Sequence, residues 1–244
     1  MLDSNSFGPH LNTPSVFAES PLPNNYTLET LSFMHCALGS STCRSILESL
    51  QGSRQLKELK LSCTTLFFDR TCAVELKELL QSSTSLQKLF VARIVVNEVM
   101  GEFADGVRRN TSLEELDMSF CQVENAGLMQ LGKALIKNVT LKRLNLNCNP
   151  FDNDAVSRFF KLLPRMKVEH ILLRNSLDPA RYLDERVCSA IVAGLRVNTS
   201  VVTLGDFDTK SASIAESKRS QVPASALEQS HASRCLALHF GQDV

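Results

Sequence analysis

Seven hydrophobic motifs recur along this chain at nearly constant spacing, and they limit its fold more than any other feature. Six are triplets: Leu28-Leu31-Phe33, Leu56-Leu59-Leu61, Leu86-Leu89-Val91, Leu113-Leu116-Met118, Leu141-Leu144-Leu146 and Val168-Ile171-Leu173. A weaker copy follows at Val201-Leu204, and successive first members lie 28, 30, 27, 28, 27 and 33 residues apart. A period in this range belongs to stacked supersecondary units that share one continuous core, since no single unit can bury its own apolar face.

Within each copy the pattern is L-x-x-L-x-L-x-x-(C/N)-x-L. It is complete at Leu28, Leu31, Phe33, Cys36 and Leu38, again from Leu113 to Val123 through Cys121, and again from Leu141 to Phe151 through Asn149. The alternating residues place their side chains on one face of a short strand. The small or polar slot falls where the chain turns, and a Cys or Asn there can satisfy backbone groups. The period then becomes helical: Gly127, Leu128, Leu131 and Leu135 recur at helical spacing, as do Ala155, Val156, Phe159, Phe160 and Leu163. Each unit is therefore expected to be strand, turn, helix and return, with parallel strands joined by helical crossovers.

These residues resemble the leucine-rich repeat family, in particular its ribonuclease-inhibitor-like subtype with a full helix per repeat. The likeness runs from about Leu28 to Phe207 and is densest from Leu116 to Leu146; the phrases "STSLQKL", "NTSLEEL", "NVTLKRL" and "NTSVVTL" before the strands belong to it. It implies an α/β solenoid of about six to seven repeats, a curved horseshoe with parallel strands on the concave face and helices on the convex face. Three segments are expected: a flank at 1–27, partly disordered and serving as a cap, the repeat domain at 28–208, and a tail at 209–244, partly disordered or forming a short helix within Ala226–Phe240. The long last gap places extra residues around Leu177–Arg186, read as a surface loop on one rim.

Composition and motifs narrow the function. The chain has 26 basic and 26 acidic residues, so its net charge gives no argument for nucleic acid or an anionic membrane. No apolar run reaches the length of a membrane span, and the first residues lack the apolar stretch of a secretory signal. No phosphate-binding loop, nucleophile elbow, zinc-protease helix or dinucleotide fingerprint occurs, and the five histidines are dispersed, His35 and His170 having no nucleophile or carboxylate set beside both. We therefore expect no catalytic residue, no cofactor, no metal and no small-molecule substrate. The eight cysteines contain no C-x-x-C pair, which favours free thiols and a cytoplasmic protein with nuclear access. Cys36 and Cys121, on the slot, are expected to be buried; Cys63 and Cys148, taken as one residue before it, are expected to be open to solvent. The sequons at Asn110, Asn138 and Asn198 are products of the repeat and not evidence of secretion.

What remains is the strand face. Stacking the repeats puts Lys88, Glu115 and Arg143 side by side, and Glu114 next to Lys142. Ser32 and Ser119 are read as outward-facing with them. Phe90 and Phe120, rimmed by Arg93, Glu115 and Asp117, have the composition of an interface centre. Phe90, Arg93, Glu115, Asp117, Phe120 and Arg143 are thus the candidate partner-binding residues, and the partner is another protein. The family resemblance implies such a scaffold, and it supplies two alternatives. One is a GTPase activator resembling the Ran-GTPase activators, for which Arg70 in "FFDRTC" is the rim arginine, although their acidic tail is absent. The other is a stand-alone relative of the sensor half of an innate-immune receptor.

Overall fold

The computed structural model describes residues 6–7, 27–34, 37–62, 68–173 and 184–205, with no account of the side chains of Ser6, Phe7, Ala37 and Gly205. In chain order the elements are β1 (Ser6–Phe7), β2 (Thr30–Ser32), β3 (Ala37–Leu38), α1 (Ser40–Ser49), β4 (Glu58–Lys60), α2 (Arg70–Ser82), β5 (Lys88–Phe90), α3 (Met100–Arg109), β6 (Glu115–Asp117), α4 (Asn125–Leu135), β7 (Arg143–Asn145), α5 (Asn153–Phe160), β8 (His170–Leu172), α6 (Glu185–Leu195) and β9 (Thr203–Gly205). Short 3-10 turns precede α3 and follow α5. Strands β2, β4, β5, β6, β7, β8 and β9 form one parallel sheet in that order, so every repeat adds the next strand. The middle leucines lie in register, from Leu31 beside Leu59 to Ile171 beside Leu204. A small separate pairing joins β1 to β3.

The predicted strand and helix faces meet in one core. Leu116, Met118, Leu128, Leu131, Leu144 and Leu146 are all buried, together with Phe103, Phe151, Phe159 and Phe160. Neighbouring helices pack closely at glycines. A Cβ on Gly132 would come within 3.0 Å of Leu162 and 3.1 Å of Phe159, and one on Gly194 would meet the backbone oxygen of Phe160 at 3.0 Å. Three helices begin on an aspartate that caps the first turn: Asp69 accepts from the amide of Cys72, Asp152 from Ala155 and Asp184 from Val187. The slot residues Cys121 and Asn149 are buried at the turn, and so is Ile94, which stands in the slot of an earlier repeat in place of a Cys or Asn.

A second polar device ties repeat to repeat. Asn110, Asn138 and Asn198 stand at the ends of α3, α4 and α6, and all three are buried. Each side-chain oxygen accepts from the two amides that lead into the next strand; for Asn138 these are Thr140 at 3.0 Å and Leu141 at 2.8 Å. Each side-chain amide reaches back to the preceding repeat, Asn138 to the carbonyls of Val107 and Asn110, Asn110 to that of Leu80, and Asn198 to those of Leu163 and Met166. The sequons are accordingly structural asparagines. Ser83 holds the same place one repeat earlier and keeps half of the arrangement, accepting from Leu86 at 3.1 Å.

Several expectations, those on residues 1–5, 8–26, His35, Cys36, Cys63, 177–183 and 206–244, lie outside the described residues. Two of the outward-facing positions differ from expectation: Ser32 and Ser119 are buried, Ser119 because its hydroxyl and amide both turn back to bond Asp117.

Two substitutions test this packing. Leu144→Ala removes a fully buried side chain between two repeats and should cost about 2–5 kcal/mol in a urea titration. Asn138→Ala leaves four backbone groups without partners and should cost at least about 1–3 kcal/mol, whereas Asn138→Ser, which restores the arrangement at Ser83, should cost less. Equal losses for the alanine and serine variants would contradict the role given to the side-chain oxygen.

Candidate functional site

The strand register sets two rows of side chains on the open face of the sheet. The first reads Thr30, Glu58, Lys88, Glu115, Arg143, His170, Thr203; the second begins at Ser32 and passes through Lys60, Phe90, Asp117, Asn145 and Leu172. The predicted neighbours Lys88, Glu115 and Arg143 are therefore adjacent. The Arg143 guanidinium donates to Glu115 at 3.2 Å, and Lys142 pairs with Glu114 at 3.1 Å. Lys57 pairs with Glu29 and Lys60 with Glu58. Most charges on this face thus neutralise one another, three pairs between neighbouring repeats and Lys60–Glu58 within β4, and at a solvated surface each such pair contributes little stability.

Asp117 is tied into the fold. One carboxylate oxygen accepts from the amide and hydroxyl of Ser119 at 2.8 and 2.7 Å, and the other from Asn145 at 3.0 Å. It fixes the turn that follows β6.

The two aromatic residues occupy different levels. Phe90 is half-buried on β5, with the Lys60 ammonium 5.5 Å from its ring centre. Phe120 is not on a strand; it sits in the turn after β6, 43% exposed, with the Arg93 guanidinium 4.9 Å from its ring centre. Arg93, Phe120 and Cys148 hold the same place in successive repeats, and all have positive φ, 66°, 58° and 62°. Side chains other than glycine resist this conformation, and the backbone is held there by inter-repeat bonds, Arg93 N–H to the Ser119 carbonyl and Phe120 N–H to that of Asn147, both 2.9 Å. The left-handed turn carries Arg93 and Phe120 to the rim, side by side. Exposed arginine–aromatic pairs of this kind contribute about 0.5–1 kcal/mol.

The same row corrects the reading of Cys148, which is 8% exposed and not open to solvent. A cysteine side chain is too short to extend beyond a row in which its neighbour is phenylalanine. Cys121 is buried as expected, its thiol donating to the carbonyl of Val91. Desolvation pushes this thiol up to about 12 from an ordinary 9.0. Cys43 and Cys72, buried where α1 meets α2, contact one another; the hydrogen bond of the Cys43 thiol to Cys72, together with burial, raises Cys43 well above the usual thiol range. Arg70 lies at the start of α2, its side chain 82% exposed and paired with Glu102 of α3 at 3.1 Å. Among the described residues no group of three or more His, Cys, Asp or Glu is arranged to hold a metal, and no helix is long and apolar enough to cross a membrane.

A leucine-rich repeat family model matches residues 109–132 and 137–160, the units that carry β6, α4, β7 and α5. The human NACHT, LRR and PYD domains-containing protein 5 is 26% identical over 178 residues, covering 72% of this chain. The chain spans only 14% of that protein's length. Among solved structures, the Caenorhabditis elegans tropomodulin C-terminal domain aligns at TM-score 0.49 with 18% identity, over 63% of this chain and 93% of that domain. Leiomodin-1 actin-binding site 2 aligns at TM-score 0.41 with 12% identity, over 88% of this chain and 99% of that one. Repeat, sheet topology and family match agree on the fold, a leucine-rich repeat solenoid.

The Cys121 thiol makes stability depend on alkaline pH. The unfolded chain loses this proton near the ordinary value of 9.0, while the folded chain keeps it until about 12. Folding is favoured fully below the lower value, and its advantage is lost as pH rises through that window. Unfolding free energy measured by denaturant titration should fall more steeply between these pH values for the wild type than for Cys121→Ala. Identical slopes would contradict the buried, protonated thiol. Alkylation of the native protein should also label Cys148 before Cys121, although slowly.

Proposed function

We propose that this chain is a non-enzymatic scaffold of the ribonuclease-inhibitor-like subtype that binds another protein through its strand face and the adjoining rim. Repeats of 27 to 33 residues, each with a helix, support the subtype. One observation carries the binding reading: on a face whose charges pair off internally, Phe120 stands exposed at a left-handed turn, stacked by Arg93 and one repeat from Phe90. Exposed aromatic side chains with an arginine partner are the residues that dominate interface energies. Glu115 and Arg143 form the polar border beside them, and Asp117 sets the turn that presents Phe120. Free buried thiols support a reducing compartment.

The likeness to the human protein favours a second reading, a relative of that protein's repeat portion. Co-purification of the chain with a separately expressed NACHT-domain protein tests that reading, and no recovery disposes of it. The activator reading is weaker, because Arg70 is held by Glu102 of its own chain.

The main reading is tested by affinity capture from native cells with the wild type and with Phe90→Ala/Phe120→Asn, asparagine being chosen because it tolerates positive φ. A partner retained by the wild type should be lost by at least about tenfold from the double variant, a difference of roughly 1.4 kcal/mol. Undiminished capture, with an unchanged thermal melt, removes the strand face as the binding site.

A further inference from the structure

The balanced net charge conceals a division of charge between the two rims of the solenoid. On the rim where the helices begin stand Glu98, Glu102, Glu124, Asp152, Asp154, Asp184 and Glu185. On the rim where they end, in the last repeats, stand Lys133, Lys137, Lys161, Arg165, Lys167 and Arg196, all exposed. None of these six side chains has an ion pair or hydrogen bond among the described residues, in contrast to Arg158, which pairs with Asp154 near the start of α5. No Asp or Glu occurs in 125–151, 155–168 or 186–205. Helix dipoles account for part of this, since cations are favoured in a last turn. They do not account for Lys137 and Lys167, which lie in the loops beyond the helices, where Glu169, two residues after Lys167, is a nearby carboxylate.

A second feature lies on the same rim. The loops that enter β5, β6 and β7 leave between them an open cleft of about 390 Å³, lined by Thr84, Thr111, Val139, Thr140 and Lys142 among others. The hydroxyls of Thr84 and Thr111 form no hydrogen bond among the described residues, and both residues are exposed. Val139 is 73% exposed beside the cleft, and Val197 is 65% exposed two repeats on. The rim thus offers cations, free hydroxyls and isolated apolar side chains in a line across successive repeats.

The geometry points to this rim as a docking surface for an acidic, extended segment of another protein, in which carboxylates alternate with apolar side chains. Carboxylates meet the lysines and arginines, the segment's backbone bonds the threonine hydroxyls, and its apolar side chains cover Val139 and Val197. Three helix ends packed about 8–10 Å apart are spanned by roughly six residues of extended chain. A nucleic acid fits less well. The nearby aromatic rings, Phe159 and Phe160, are buried and offer no stacking platform, and the Glu114 carboxylate also lines the cleft. This surface is separate from Phe90 and Phe120, so it stands or falls independently of the strand face.

The test uses the full chain and a fluorescein-labelled synthetic peptide of about twelve residues, Glu and Asp alternating with Leu and Val, a length that covers three repeats. The wild type should bind it saturably, and binding should weaken as salt rises. The charge-reversed variant K133E/K137E/K161E/R165E should lose at least about tenfold in affinity while its thermal melt stays unchanged, all four positions being exposed. Phe90→Ala/Phe120→Asn should bind the peptide as the wild type does. No saturable binding, equal binding by the reversed variant, or tighter binding of a single-stranded RNA of equal charge would overturn the proposal. So would sedimentation showing that the basic rim is already occupied by the acidic rim of a second copy.

Discussion

A buried asparagine side chain at the end of a helix, bonded forwards to its own strand and backwards to the preceding repeat, is the interaction on which this solenoid depends. A repeat must reverse direction between helix and strand, and the reversal leaves backbone amides and carbonyls inside the molecule. Asn110, Asn138 and Asn198 satisfy those groups on both sides at once. An amide side chain suits the task because it donates and accepts from one planar group. Asn149 does the same at the opposite rim, accepting from Cys121 and Val123 and donating to the carbonyls of Met118 and Leu146. The repeats that carry β6 and β7 are thus pinned to one another at both ends of their strands, with the leucine layers packed between.

That arrangement explains where variable chemistry is placed. The inward positions are fixed by packing and the turns by backbone satisfaction, so differences between repeats collect on the strand face and the two rims. There the chain spends most of its charge on cross-strand pairs, and what stands apart is Phe120 with Arg93 at one rim and the unpaired lysines and arginines at the other. The strained turn places the first of these: the left-handed residue costs conformational energy and is held by inter-repeat hydrogen bonds.

Much of this was legible in the sequence because the period carries it. The alternation of leucines fixed which residues are buried and which strands are neighbours, and the row Lys88, Glu115, Arg143 follows from counting residues. Other features do not follow from a period. The place of Phe120 depends on a positive φ, and the sequence carries no residue there that demands one. Cys148 shares that backbone state, yet its short side chain stays covered. The asparagines were visible as a recurring Asn-x-Ser/Thr before β6, β7 and β9, but the backward bonds to the previous helix appear only once the repeats are stacked. The segregation of charge was hidden for a simpler reason, since a net charge sums over the rims it should separate.

Native-state hydrogen exchange on the wild type tests the central claim most directly. The amides of Leu113, Thr140, Leu141, Ser200 and Val201 lie in loops by sequence but are bonded to the buried asparagines. If those side chains hold the repeats together, these amides exchange as slowly as those of the strands β6 and β7, and only through opening of whole repeats. Exchange at the rate of exposed loop amides, with the strands still protected, would mean that the asparagines merely decorate a stack held by its leucines alone.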